Sequence, residues 1–269
     1  MSALQTLPDG AVVAKRNLIK IKRVPDLLVF TTLQPIMFVL LFAYVFGGAI
    51  NVPGVNYREF LMAGIFAQTV VFGATLTGAG LADDMQKGVI DRFRSLPMSR
   101  SAVLFGRTLS DVLNNVIVVT VMALTGLVVG WRIHTSVLQA AGGFGLLLLF
   151  SYAFSWVMAL VGLTVPTPEV VNNASFIVLF PITFAASTFV PLKSLPGPLG
   201  TFAAWNPVTT LSEAGRTFFG NVPSKGSLRN VSDAWSMQHP ALYTVIWALV
   251  ILVIFVPLAN RQYARASRR

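Results

Sequence analysis

Six long stretches of this chain contain no Asp, Glu, Lys or Arg: 27–57, 60–82, 112–131, 133–168, 170–192 and 234–260. An apolar helix needs about 20 residues to cross the hydrocarbon core of a bilayer, and every stretch is long enough. Little chain is left between them. Of 269 residues, 55% are hydrophobic and 11% charged, against roughly 25% charged in a soluble domain. The pattern predicts an all-α integral membrane protein with a single membrane domain over 1–269. Its spans fall near 27–50, 60–82, 106–131, 138–165, 171–192 and 238–260.

The remaining charges set the topology. Odd-numbered connecting segments hold 14 Lys and Arg, even-numbered ones 6. The positive-inside rule then puts both termini in the cytoplasm, with the protein in the cytoplasmic membrane. Basic span ends meeting anionic lipid account for the net charge of +10, without nucleic acid. The first 26 residues carry seven charges, and the apolar run that follows is longer than a signal-peptide core. The first span is therefore expected to remain as an anchor. The chain has no cysteine, which excludes disulfides and thiolate metal sites.

In residues 11–23, Ala11, Ala14, Leu18 and Ile21 share one helical face while Lys15, Arg16 and Lys20 cover the rest. This spacing fits a helix lying in the inner interface; a charge cluster that merely sets topology fits it too. Pro35 and Pro181 are expected to kink or break their spans. Pro166 and Pro168 mark a tight turn. Gly126 and Gly130 stand four apart, a spacing that lets helices approach closely, and read as packing within one subunit rather than a dimer seam. The segment before the last span contains Phe202, Trp205, Leu211, Phe218 and Phe219. Those side chains are too apolar for a free loop, so 198–220 is expected to form one or two short helices, re-entrant or lodged in the outer leaflet.

The segment 83–111 is the most informative polar one. Val89, Ile90, Phe93 and Leu96 recur on one helical face, with Asp91, Arg92 and Arg94 elsewhere. Pro97 stops that helix. The spacing allows a passive interfacial helix or a contact part for a separate motor.

No G-x-x-x-x-G-K-[ST] occurs. The nearest pattern, Gly73 to Gly78, is followed by Ala79, so no lysine stands ready for a phosphate. An intramembrane enzyme would need motifs such as H-E-x-x-H or G-x-S-x-G, and neither is present. No catalytic, cofactor-binding or metal-ligating residue is assigned. An ion-coupled secondary transporter is the alternative reading. It usually keeps ionisable groups inside its spans, and here the central regions have none; His134 and His239 lie at span ends. Any substrate route must then be aromatic and mildly polar. Phe38, Phe42, Phe66, Gln68, Phe72, Asn114, Asn115, Asn172, Asn173 and Phe180 are the candidates to line it. Such a lining suits amphiphilic, lipid-like or drug-like molecules.

The stretch GVIDRFRSLPMSRSAVLFGR, 88–107, resembles the cytoplasmic loop of type-2 ABC exporter permeases, particularly the daunorubicin/doxorubicin-resistance type. The stretch FVPLKSLPGPLGTFAAWNPVTTLSEAGRTFFGN, 189–221, is similar to that family's signature before its last span, including Asn206-Pro207, Glu213 and Arg216. The resemblance implies that 11–23 is a connecting helix. It also implies that 86–96 is a coupling helix docked on an ATPase, with Lys87 to Leu96 and Pro97 as the contact. Residues 198–220 would be re-entrant helices capping the exit. It implies two permease chains, identical or related, with two copies of an ATPase subunit that holds the ATP and magnesium. On that basis Phe93→Asp should leave membrane insertion intact but abolish transport with the partner ATPase, as measured by export from vesicles against ATP consumed.

Overall fold

The computed structural model describes residues 25–47, 50, 52, 54–90, 100–222 and 233–266. The expected interfacial helix (Lys15, Arg16, Leu18, Lys20, Ile21) lies outside the described residues, as do Asp91, Arg92, Phe93, Arg94, Leu96 and Pro97.

The first helix, α1 (Pro25–Leu40), continues into a π-helical turn, Leu41–Phe46. Helix α2 (Tyr57–Gly73) starts where the Asn56 side chain accepts the Arg58 amide, and is followed after Ala74 by α3 (Thr75–Gln86). At the break the Phe72 carbonyl accepts from the Ala74 amide and from the Thr75 hydroxyl, the latter at 2.7 Å. Next come α4 (Arg100–Val129), α5 (Val137–Thr164) and α6 (Pro168–Phe184). A Ser136–Gln139 capping box opens α5. Thr167 caps α6, with Pro168 in the first turn where its missing N–H costs nothing. Helices α7 (Gly197–Trp205) and α8 (Pro207–Phe219) follow, then the short α9 (Trp235–Gln238) and α10 (Pro240–Ala266). Among the described residues no strand occurs.

Among the described residues four helical stretches are long and apolar enough to cross a membrane: Tyr57–Gln86, Ala102–Val129, Val137–Thr164 and Pro240–Arg265. Two more apolar helices, Thr32–Phe46 and Pro168–Phe184, are shorter. Helix α5 is central, touching α2, α3, α4, α6, α8 and α10. It carries no charge and is apolar all round, as a buried helix must be. Its glycines set the closest approaches. A methyl on Gly162 would overlap the carbonyl of Gly78 in α3, and one on Gly143 would come 2.8 Å from Phe218 Cβ.

The two largest of four apolar clusters among the described residues divide the bundle lengthwise. The larger joins α1, α2, α4, α5 and α8 around Phe60, Phe66, Trp131, Phe150 and Phe219. The smaller joins α3, α4, α5 and α10 around Leu81, Leu104, Trp156, Leu163 and Tyr263, and takes in Ile90 beyond the end of α3. One end of the bundle thus holds 57–60, 129–136 and 186–221; the other holds 77–90, 100–111 and 259–263.

Several helix ends differ from the sequence-based spans. The expected span at 171–192 ends as a helix at Phe184. Pro181 sits inside its last turn, and the next carbonyls, those of Ser187 and Thr188, are taken by Arg216 instead of by helical amides. The expected 106–131 span starts earlier as a helix, at Arg100, and ends at Val129, with Arg107 and Asp111 inside it. Gly126 packs on Met62 of α2, which is packing within the chain.

The Gly78–Gly162 contact gives a stability test. Gly162→Ala should cost about 1–3 kcal/mol through backbone displacement. It should appear as a lower unfolding temperature of the detergent-purified protein.

Candidate functional site

Helices α1, α2 and α4, with the start of α3, enclose a cleft of about 240 Å³. Gln34, Pro35 and Phe38 come from α1; Ile65, Gln68, Thr69, Phe72 and Gly73 from α2; Thr75 and Leu76 from α3; Asn114, Asn115 and Val118 from α4. The Ala74 break lies in its wall. Five of the candidate path residues meet here: Phe38, Gln68, Phe72, Asn114 and Asn115. Gln34 was missed by sequence reasoning. Only the packing of α1 against α2 and α4 brings that lone amide to the others.

The other candidates stand elsewhere. Phe66 is fully buried in the core, edge-on to Trp131 at 5.4 Å. Phe42 stacks on Phe189 at 4.1 Å, and Phe180 on Phe184 at 4.0 Å. These rings continue through Phe38 into an aromatic row beside the cleft. Asn172 and Asn173 are exposed on α6, away from the cleft.

A buried polar cluster flanks the cleft toward the Ile90 end. Arg107 lies 3.5 Å from Asp111 and 4.0 Å from Asp84, and donates to the Leu76 carbonyl at 2.9 Å. Thr77 donates to Asp111 at 2.5 Å. Asn115 donates to the Asp111 carbonyl at 3.0 Å and to Ser151 at 2.9 Å, tying the cluster to the cleft wall. Gly80 leaves the room that the Arg107 guanidinium fills. Sequence reasoning missed the cluster because its charges sit just outside the charge-free stretches. The four-residue spacing of Arg107 and Asp111 on one helix was the available signal.

Beyond α3, Lys87 pairs with Asp83 at 2.7 Å. That hydrogen-bonded carboxylate raises the Lys87 pKa above its ordinary value. Val89 is half-buried, and Ile90 is 2% exposed within the smaller apolar cluster. The start of the expected coupling segment is therefore seated among four helices.

At the opposite end Arg216 is 1% exposed and binds with all its nitrogens. Its Nε donates to the Phe60 carbonyl at 3.0 Å, and its Nη2 to the carbonyls of Ser187 at 2.6 Å and Thr188 at 3.3 Å. Its Nη1 meets Glu213 at 2.5 Å and Ser187 Oγ at 3.3 Å. The guanidinium also stacks 3.5 Å above the Phe60 ring. Asn206 caps α8 by accepting the Val208 amide, donates to the Ile182 carbonyl at 2.7 Å, and precedes Pro207 in the first turn. Gly220, at φ 73°, ends α8 in the left-handed region. Asn221 then accepts from Trp131 at 2.7 Å and donates to the Arg132 carbonyl at 2.8 Å. His134 at this end stands 2.8 Å from Glu59. Among the described residues no group of three or more His, Asp or Glu is placed to hold a metal ion.

The ABC-2 type transporter family model matches residues 10–219. The chain belongs to the ABC-2 type transporter family. It is 35% identical, over 92% of its length and 83% of the relative's, to the daunorubicin resistance ABC transporter permease protein DrrB1 of Streptomyces coeruleorubidus. It is 27% identical to the putative transport permease ycf38 of Cyanophora paradoxa, covering 91% of this chain and 83% of that one. A probable doxorubicin resistance ABC transporter permease protein, DrrC of Mycobacterium tuberculosis, is 26% identical, covering 74% of this chain and 68% of that one.

Arg216→Ala would strand three carbonyls and the Glu213 carboxylate. Breaking a buried pair from one side costs about 3–5 kcal/mol, so a sharp fall in unfolding temperature is expected. Adding Glu213→Ala should cost less than the two single effects summed, because the unpaired carboxylate goes with it. Additive melting shifts across the four proteins would contradict this.

Proposed function

We infer that this chain is the transmembrane permease subunit of an ABC exporter, carrying an amphiphilic, lipid-like or drug-like substrate across the cytoplasmic membrane. The observation that carries this reading is family membership over most of the chain, joined to relatives that are themselves drug-resistance permeases. The chain has no phosphate-binding loop, so ATP and magnesium belong to a separate ATPase subunit. Two copies of that subunit and a second permease chain complete the proposed assembly.

The six apolar helices are read as six spans with both termini cytoplasmic, supported by the excess of Lys and Arg on that side. Two of them are short for a bilayer, which burial against neighbours and local thinning accommodate. Helices α7 and α8 are read as the re-entrant pair at the outer end. The segment 86–96 is read as the ATPase contact, and the seating of Ile90 among α3, α4, α5 and α10 supports it. A push on a surface loop moves the spans only if the loop is fixed to them. The exposed face of α6, with Asn172, Asn173 and Phe176, supports a second permease chain there, because amides facing lipid are costly.

The reading is tested by co-purifying the chain with its ATPase and reconstituting both in vesicles. ATP-dependent export of a fluorescent amphiphile is expected, and none from the permease alone. Full transport by the isolated chain, driven by an ion gradient, would replace this reading with the ion-coupled one.

A further inference from the structure

Hydroxyls in the spanning helices mostly donate back to their own helix. Thr120 reaches the Val116 carbonyl at 2.7 Å, Ser155 that of Tyr152 at 2.7 Å and Thr183 that of Leu179 at 2.8 Å. Thr69, on the cleft wall, does not. It is 7% exposed and has no hydrogen-bond partner among the described residues. Gln68 beside it is 6% exposed, and its Oε1 is buried without a partner. Asn114 and Gln34, on the facing helices, also bond to no described residue. Three buried side chains with unspent hydrogen-bonding capacity, joined by the exposed Gln34, thus border one cavity. Each would be stabilised by pairing, and a buried unpaired group costs about 1–3 kcal/mol.

The rest of the lining decides what could pair with them. Among the described residues no charged side chain lines the cleft. The nearby Arg107 and Asp111 are committed to each other, to Leu76 and to Thr77. Asn115 spends its amide hydrogens on Asp111 and Ser151. Phe38 and Phe72 provide flat apolar walls. A charged group would enter unneutralised, at large cost. We propose that this cleft binds an uncharged, flat, apolar molecule bearing a hydroxyl or amide, and that Gln68 reads that group. Its being a stage of export rests on the permease reading above; the binding itself does not.

The test uses the full chain in lipid nanodiscs, without ATPase, and two fluorescent probes, 1-naphthol and 1-methoxynaphthalene, the second with a methyl in place of the hydroxyl hydrogen. Binding is corrected for uptake by empty nanodiscs. The wild type should prefer 1-naphthol by roughly tenfold, the equivalent of one good hydrogen bond. Gln68→Leu should erase that preference while leaving the melting temperature unchanged or higher, since it removes a buried unpaired amide. Equal binding of the two probes by the wild type overturns the proposal. So does a retained preference in Gln68→Leu, or a lowered melting temperature, which would mean that Gln68 is satisfied internally. Competition with dioctanoylglycerol separates two sources of the same chemistry. Displacement of 1-naphthol assigns the site to a lipid hydroxyl; no displacement assigns it to an aryl alcohol; both keep the site. Selective binding with no ATP-driven export by the complex sinks the permease reading alone. Export with an unchanged preference in Gln68→Leu sinks the cleft alone.

Discussion

Hydrocarbon offers no hydrogen bonds, so each place where the backbone leaves the helix must find partners within the protein. Arg216 meets that demand at the most irregular point of the chain. Residues 185–191 are unwound, and the carbonyls of Ser187 and Thr188 point at a guanidinium instead of at amides of a next turn. The same group holds the Phe60 carbonyl. One side chain thus joins α2, the end of α6 and α8. Gly64 makes the arrangement sterically possible, because any side chain there would occupy the place of the Thr188 carbonyl. The charge is tolerated because Glu213 and four oxygens on other residues surround it.

The Ala74 break follows the same rule on a smaller scale. The Phe72 carbonyl there accepts both the Ala74 amide and the Thr75 hydroxyl. Gln68 Oε1 is buried without a hydrogen-bond partner among the described residues, as are Arg107 Nε and Trp156 Nε1; of the three, only Gln68 lines the cleft.

Hydropathy made the apolar helices legible, and the Pro207 to Phe219 segment announced a helix through its apolar content and its Asn-Pro start. The helix starts at Asn56, Ser136 and Thr167 are set by local side-chain caps, which a reading of hydropathy alone passed over. The start of α4 at Arg100 and the pairing of Arg107 with Asp111 were not legible, since hydropathy treats charges as solvated and cannot see them neutralise each other. Residue type also says nothing of facing. Phe66 and Phe72 lie on the same helix, yet one is sealed in the core and the other lines the cleft. Asn172 and Asn115 are both span amides; tertiary packing alone sends one outward and the other to Asp111. The coincidence of Gln34 with Gln68 and Asn114 is a long-range contact with no local trace.

The Gly78–Gly162 crossing holds α3 and α5 backbone to backbone, leaving no side-chain cushion between them. Any shift between these two helices must therefore slide one backbone along the other at this point, because no side chain lies between them to repack.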